Sequence, residues 1–301
     1  MSPRGWAQFA AVSFLWGFVY LLIKIVGEEV SAFPLTFSRA LLSVLILVPL
    51  AQRRGTLLPL RDRFGALVVL ALLDVAGPFV LVAVGERTVP SSLAGMLVAT
   101  VPIFVALLAL RFDHSERVGG LRLVGLGVGI VGVGLLLGVQ AANDGEQLLG
   151  AGLILLASLL YAGASLYYRR AFAGADAIGV TAWVFVITAA ILVVPAIATA
   201  PRQIPSLGTL AALLALGTLC SAVVFVLWYQ LIDEVGAGRA TVVTYVNPAI
   251  AVLLGVLLLG ESLTAGAVAG LVLIIGGSYL STGGRVGRGR ALEPAIGVHA
   301  P

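Results

Sequence analysis

Apolar residues run through the chain in blocks of about 20, long enough to cross a hydrocarbon core as α-helix, with short polar stretches between them. Ten spans follow from this pattern: Gly5–Val26, Ala32–Ala51, Phe64–Gly85, Ser91–Arg111, Gly119–Val139, Leu148–Tyr168, Ile178–Ala198, Leu207–Ile232, Ala240–Leu259 and Ala265–Thr282. The connections are short, so successive helices are antiparallel neighbours. One stretch departs from plain lipid-facing sequence. Gly236–Glu261 carries Thr241, Thr244, Tyr245 and Asn247 just ahead of Pro248. At about 100° per residue, Thr241, Thr244, Tyr245 and Pro248 share one face, with Asn247 at its edge. Unpartnered polar groups cost several kcal/mol, roughly, in hydrocarbon, so this stripe faces protein, water or a solute.

The same plan recurs upstream in Pro90–Glu116. An offset of 146 lays Pro102 on Pro248, Ala94 on Ala240 and Leu107–Leu108 on Leu253–Leu254. An offset of 145 sets Trp16 on Tyr161, Lys24 on Arg169, Glu116 on Glu261, Gly125 on Gly270 and Gly132 on Gly277. Each unit holds five spans, an odd number, so the second copy enters the membrane upside down. The expectation is an all-α polytopic membrane protein of ten transmembrane helices in two inverted five-helix repeats, residues 1–139 and 148–283. A glycine- and arginine-rich tail, 284–301, is expected to be disordered. Inverted repeats of this kind place a substrate site near the midplane between the halves.

Composition narrows the class. The chain of 301 residues is 60% hydrophobic and 11% charged, with a mean hydropathy of +1.11. Soluble domains run nearer a quarter charged, roughly. A membrane β-barrel would show ~10-residue alternating strands instead. The net charge of +4 is no nucleic-acid footprint, because the basic residues sit in short loops and the tail. With the N-terminus inside, fourteen Lys and Arg fall in the inside segments, against Lys24, Arg87 and Arg202 outside; Arg39 lies within a span. Both termini are therefore expected in the cytoplasm. The single Cys220 excludes an intrachain disulfide and reads as a small buried residue.

The chain resembles the ten-helix EamA-type members of the drug/metabolite transporter superfamily. The likeness rests on SFLWGFVYLLIK with Trp16, Gly17 and Lys24, on SAFPLTFSRALL with Pro34 and Arg39, and on the paired helices around Pro102 and Pro248. Its most specific part is PAIAVLLGVLLLGESLTAGAVAGLVLIIGG, with Glu261 and Gly270; Glu116 sits one residue late in the first copy. The resemblance implies a bacterial inner-membrane exporter of amino acids, aromatic or hydrophobic ones included, or of related small metabolites. It also implies that helices one to four and six to nine surround a central cavity, with five and ten packed outside.

Candidate chemistry follows the polar residues at membrane depth. The first helix lines up Ser13, Trp16, Gly17, Tyr20 and Lys24, and the sixth Ser158, Tyr161, Ser165 and Tyr168, a polar-aromatic wall in both copies. Asp74 shares a face with Gly77 and Pro78 and suits a substrate ammonium or a proton, or equally a structural pair; Arg39 reads equally as a structural pair or snorkelling side chain and as a functional cation. Trp16, Tyr20, Asp74, Tyr161, Ser165, Thr244, Tyr245 and Asn247 are the expected substrate contacts. Pro102 and Pro248 are expected to gate, since each frees a carbonyl one turn back, near Val98 and Thr244. Trp228, Tyr229 and Gln230 read as an interfacial belt, and Glu116 and Glu261 as helix caps. GVGIVG at Gly127–Gly132 lies inside an apolar run without a preceding strand, so it reads as close helix packing rather than a nucleotide loop. Neither His114 nor His299 has a partner on a helix face, and no Cys/His/Asp cluster has metal spacing, so no cofactor, metal or catalytic group is expected. The expected partners are the lipid bilayer and a small-molecule substrate, with the protein a monomer or homodimer. An integral-membrane enzyme or a channel is the alternative, without a catalytic or filter motif to support it.

Overall fold

In hydrocarbon no water takes backbone N–H and C=O groups, so each apolar span must close its own hydrogen bonds, and helix results. The computed structural model describes residues 1–112, 120–141, 145–236, 240 and 243–281. The helices are α1 (Pro3–Gly27) and α2 (Ala32–Arg53), then α3, which runs as Phe64–Ala71, a π-helical turn Leu72–Ala76 and Gly77–Gly85. α4 is in two pieces, Ser91–Val98 and Val101–Phe112. α5 (Gly120–Ala141), α6 (Gly145–Phe172) and α7 (Ala177–Ala198) are continuous. α8 repeats the plan of α3: Leu207–Gly217, a π-helical turn Thr218–Val223 and Val224–Val235. α9 (Val243–Leu259) and α10 (Ala265–Ser281) complete the set. Seven of these are long and apolar enough to cross a membrane, while the apolar parts of α5, α9 and α10 are shorter.

Packing follows the exchange of each helix with the one five places on. α1 packs on α8 and α9 as α6 packs on α3 and α4; α2 meets α7 and α8 as α7 meets α2 and α3; α4 meets α9 and α5 meets α10. Glycine sets the closest of these approaches. A Cβ on Gly132 would lie 2.8 Å from Gly270 O, and one on Gly277 2.6 Å from Gly125 O. The small-residue pairs thus join α5 to α10 within one chain. Gly134 faces open space and takes no part.

Glutamates close helix starts across the bundle, where unpaired N–H groups and the positive end of the helix dipole favour a carboxylate. Glu234 Oε1 accepts from Ser2 N and Ser2 Oγ at 2.9 Å each, ahead of α1. Glu29 accepts from Ser206 N and Ser206 Oγ at 2.6 Å and from Thr209 Oγ1 at 2.9 Å, at the start of α8. Glu261 accepts from Ser91 N at 2.8 Å and from Ser91 Oγ and Ser92 N at 2.9 Å, at the start of α4. The cap expected of Glu261 is therefore real but serves α4; α10 uses Thr264 Oγ1, which accepts from Ala267 N. Burial raises the Glu261 carboxyl, but the bonds from Ser92 and Ser91 outweigh it and hold the group below the usual range. The bonds from Ser206 do the same for Glu29. Glu116, Thr241 and the tail beyond Ser281 lie outside the described residues.

These bonds sort the loops onto two ends. Ser2, Arg63, Ala171 and Glu234 share one, the near end. Glu29, Glu86, Glu146, Ser206 and Glu261 occupy the loops at the opposite, far end.

Candidate substrate cavity

Seven helices wall a central cavity. α1 supplies Trp16, Val19, Tyr20 and Ile23; α2 Arg39; α3 Asp74, Phe79 and Val82; α4 Val98 and Val101. α6 adds Tyr161 and Ser165, α8 Phe225 and Trp228, and α9 Thr244 and Asn247. The cavity, including the part open to solvent, has a volume of about 690 Å³. α5 and α10 stand outside it. α7, implied by resemblance to be part of the wall, supplies no lining residue; its Phe185 packs behind the wall against Phe79 and Phe225.

The local backbone explains how the polar groups reach this space. Asp74 sits in the π-helical turn of α3, ahead of Pro78, which has no N–H to give. The wide turn leaves Leu72 O bonded to Gly77 N, and a Cβ on Gly77 would meet that oxygen at 2.7 Å. Only glycine fits there. Asp74 Oδ2 accepts from Tyr229 Oη at 2.7 Å. Arg39 is 2% exposed; its Nε donates to Ser221 Oγ at 3.2 Å, and its Cζ lies 3.7 Å from the centre of the Phe79 ring. A cation on a desolvated aromatic face gains about 2 kcal/mol. Neither charge is spent on the other: Arg39 and Asp74 form no ion pair and both border the cavity.

The apolar wall is aromatic. The Trp16 and Trp228 rings lie 4.9 Å apart, Trp16 meets Phe225 edge-on at 5.7 Å, and Phe79 meets Phe225 at 5.8 Å. Across α9, the Asn247 amide, turned so that Nδ2 donates, reaches Ser13 O and Val243 O at 3.0 Å each. It ties α1 to α9 where Gly17 lets Ile250 approach.

Seven of the eight expected substrate contacts line this space: Trp16, Tyr20, Asp74, Tyr161, Ser165, Thr244 and Asn247. Tyr245 is half-buried and does not. Of the two polar faces, Ser13, Ser158 and Tyr168 do not line the space: the Ser13 hydroxyl is buried without a hydrogen-bond partner, Ser158 Oγ donates to Ile154 O at 2.9 Å and Tyr168 Oη to Asp233 Oδ2 at 3.2 Å. Pro102 and Pro248 lie just behind the wall, beside the lining residues Val101 and Asn247. They differ locally, since Pro102 is in the first turn of the second piece of α4 whereas Pro248 is inside an unbroken α9. The interfacial-belt reading of Trp228 and Tyr229 is corrected: they are 4% and 0% exposed, Trp228 lines the cavity and Tyr229 stands behind Asp74 as its hydrogen-bond donor. Their run of apolar neighbours hides which face of α8 turns inward. Gln230 does lie near an end, accepting from Gln8 Nε2 at 2.7 Å.

Apolar helices packed around a part-charged cavity suit a multi-pass membrane transporter. The EamA-like transporter family model matches residues 4–138 and again 148–283. The chain belongs to this family, and so to the drug/metabolite transporter superfamily. It is 31% identical over 300 residues to the uncharacterized inner membrane transporter YedA of Escherichia coli K12, covering 97% of this chain and 93% of YedA. It is 25% identical over 279 residues to the uncharacterized transporter YoaV of Bacillus subtilis, covering 90% and 94%. A solved crystal structure superposes with a TM-score of 0.65 at 21% identity, covering 91% of this chain and 94% of that one, a likeness of fold.

Proposed function

We propose that the protein exports amino acids with apolar or aromatic side chains, or closely related metabolites, by alternating access across a bacterial inner membrane. The observation that carries this reading is the cavity's pairing of an unspent cation and anion with an aromatic wall. Arg39 suits an α-carboxylate, which a guanidinium binds with two parallel bonds, and Asp74 suits an α-ammonium. The rings of Trp16, Phe79, Phe225 and Trp228 suit the side chain. Alternating access then opens this cavity to each side of the membrane in turn as the helix walls part.

The exchange pattern of helix contacts, the matching π-helical turns and the twofold family match support two inverted repeats. The excess of Arg at the near end supports cytoplasmic termini. Both charges belong to the first repeat: the counterparts of Arg39 and Asp74 are Val184 and Cys220. Pro102 and Pro248 flank the site on facing helices and are assigned the gating motion.

The test is counterflow in proteoliposomes with labelled phenylalanine, leucine, lysine and glutamate. Saturable exchange of the apolar pair is expected. Arg39→Lys and Asp74→Asn should each cut it at least tenfold, the loss of about 1.4 kcal/mol or more of binding. Unchanged exchange in both variants, or no exchange of any amino acid, sinks the substrate assignment.

A further inference from the structure

At the far end of the cavity, one turn beyond the lining residue Val82, lies a carboxyl group that the substrate site leaves unused. Glu86 follows the last residue of α3, and its N–H still bonds to Val82 O at 2.8 Å. It is 2% exposed, and both Oε1 and Oε2 are buried without a hydrogen-bond partner. Its obvious partner is engaged elsewhere: Lys24 Nζ donates to Glu86 O at 2.8 Å and to Val89 O at 3.2 Å, carbonyls of the turn that follows α3. Val26, Val30 and Val89, in the helix ends and loops of the same far end, are 0–3% exposed and belong to one apolar cluster.

A bare carboxylate in such a place is costly, because neither oxygen recovers what it loses by leaving water. Protonation removes most of that cost. We propose that Glu86 is a proton-binding site that is loaded when the far end is closed and exchanges its proton with the solution at that end. The proposal rests on the transporter reading only for its consequence, the coupling of proton movement to transport.

The surroundings fit a proton better than a larger cation. A metal or sodium ion needs several converging oxygens, and among the described residues no group of three or more His, Cys, Asp or Glu forms. The carbonyls of Glu86 and Val89 are already occupied by Lys24. A proton needs one oxygen. The charged and titratable groups that act on Glu86 are Lys24 and Tyr20 of α1, Arg39 of α2, Tyr161 of α6 and Glu261 after α9. Burial raises its carboxyl well above the usual range, opposed by Lys24 and Arg39 and reinforced by Glu261. Ionisation would give the Lys24 ammonium a charged acceptor in competition with Glu86 O and Val89 O. Loss of the proton would thereby loosen the tie between α1 and the end of α3. The second repeat has no equivalent latch: Arg169, the counterpart of Lys24, is exposed at the near end.

Infrared titration of the purified protein decides the matter without any substrate. A protonated carboxylic acid has a carbonyl stretch that a carboxylate lacks. The wild-type minus Glu86→Gln difference spectrum should contain that band at neutral pH, and it should vanish on raising the pH well above neutral. Lys24→Met, which removes the opposing charge, should move the transition to higher pH. Should Glu86→Gln fail to fold, Glu86→Asp keeps a carboxyl and should shift the band rather than abolish it. Only carboxylate bands in the difference spectrum at neutral pH, or a band unmoved by Glu86→Asp, would overturn the proposal. In proteoliposomes with the potential clamped, phenylalanine flux should respond to an imposed pH gradient in the wild type and lose that response in Glu86→Gln. An equal response in both overturns the coupling role. Absence of flux for every amino acid tried would instead count against the substrate assignment, leaving the infrared result to judge Glu86.

Discussion

Glu261 ties the far end of α9 to the start of α4, the two helices whose prolines flank the cavity, and its removal should be measurable as lost stability. Glu261→Ala strips the acceptor from Ser91 N, Ser91 Oγ and Ser92 N at once. A net hydrogen bond to a charged group is worth about 1.5–3 kcal/mol. The carboxylate is only partly buried, so water replaces some of what is lost. Loss of a helix N-cap typically costs about 0.5–2 kcal/mol, and the upper half of that range applies because two backbone donors are orphaned together. The expected loss is about 1–2 kcal/mol. Glu261→Gln keeps one acceptor oxygen and should lose roughly half as much.

Reversible unfolding in mixed micelles, followed by tryptophan fluorescence and repeated across pH, measures both effects. The folded Glu261 carboxyl lies below its unfolded value, so its stabilisation is complete above the unfolded pKa of about 4.3. It disappears as the pH falls through the folded value. Wild type and Glu261→Ala should therefore differ at pH 7 and converge in acid. A loss under about 0.5 kcal/mol, the scatter of an ordinary surface substitution, would refute the cap. So would a gap between the two proteins that persists unchanged into acid.

The remaining expectations concern packing, gating and orientation. Gly132→Leu should push α5 off α10 and cost about 1–3 kcal/mol as overpacking, while Gly134→Leu, with nothing within 4 Å of its Cβ, should cost little; equal effects in an unfolding assay would contradict the α5–α10 contact. Pro248→Ala restores a donor for Thr244 O inside α9, and should change transport rate more than stability. Normal counterflow in Pro102→Ala combined with Pro248→Ala would end the gating idea. A reporter fused after Arg63 should signal from the cytoplasm and one inserted at 143–146 from the outside; reversed signals would overturn the orientation.

The positions of the helices were legible in the sequence because a bilayer imposes one demand on every span, about 20 apolar residues with their backbone bonds closed internally. The glycine-rich run Gly127–Gly132 likewise announced close helix packing, but not that its partner would be α10 of the same chain. Trp16, Asp74, Tyr161 and Asn247 stood out because polar and aromatic groups are rare at membrane depth. Rotation of each helix about its axis was not legible. Lipid and cavity wall both accept apolar side chains, so Val98, Phe79 and Phe225 carry no mark of facing inward, and Trp228 resembled an interfacial residue. Only packing decided that Tyr245 turns aside while Trp228 lines the space. Hydrogen-bond partners distant in sequence were equally hidden: Glu261 belongs to α4 rather than to the helix that follows it, and Lys24 reaches the carbonyls of Glu86 and Val89. A sequence shows which groups need partners, but which groups meet depends on how the ten helices fit together.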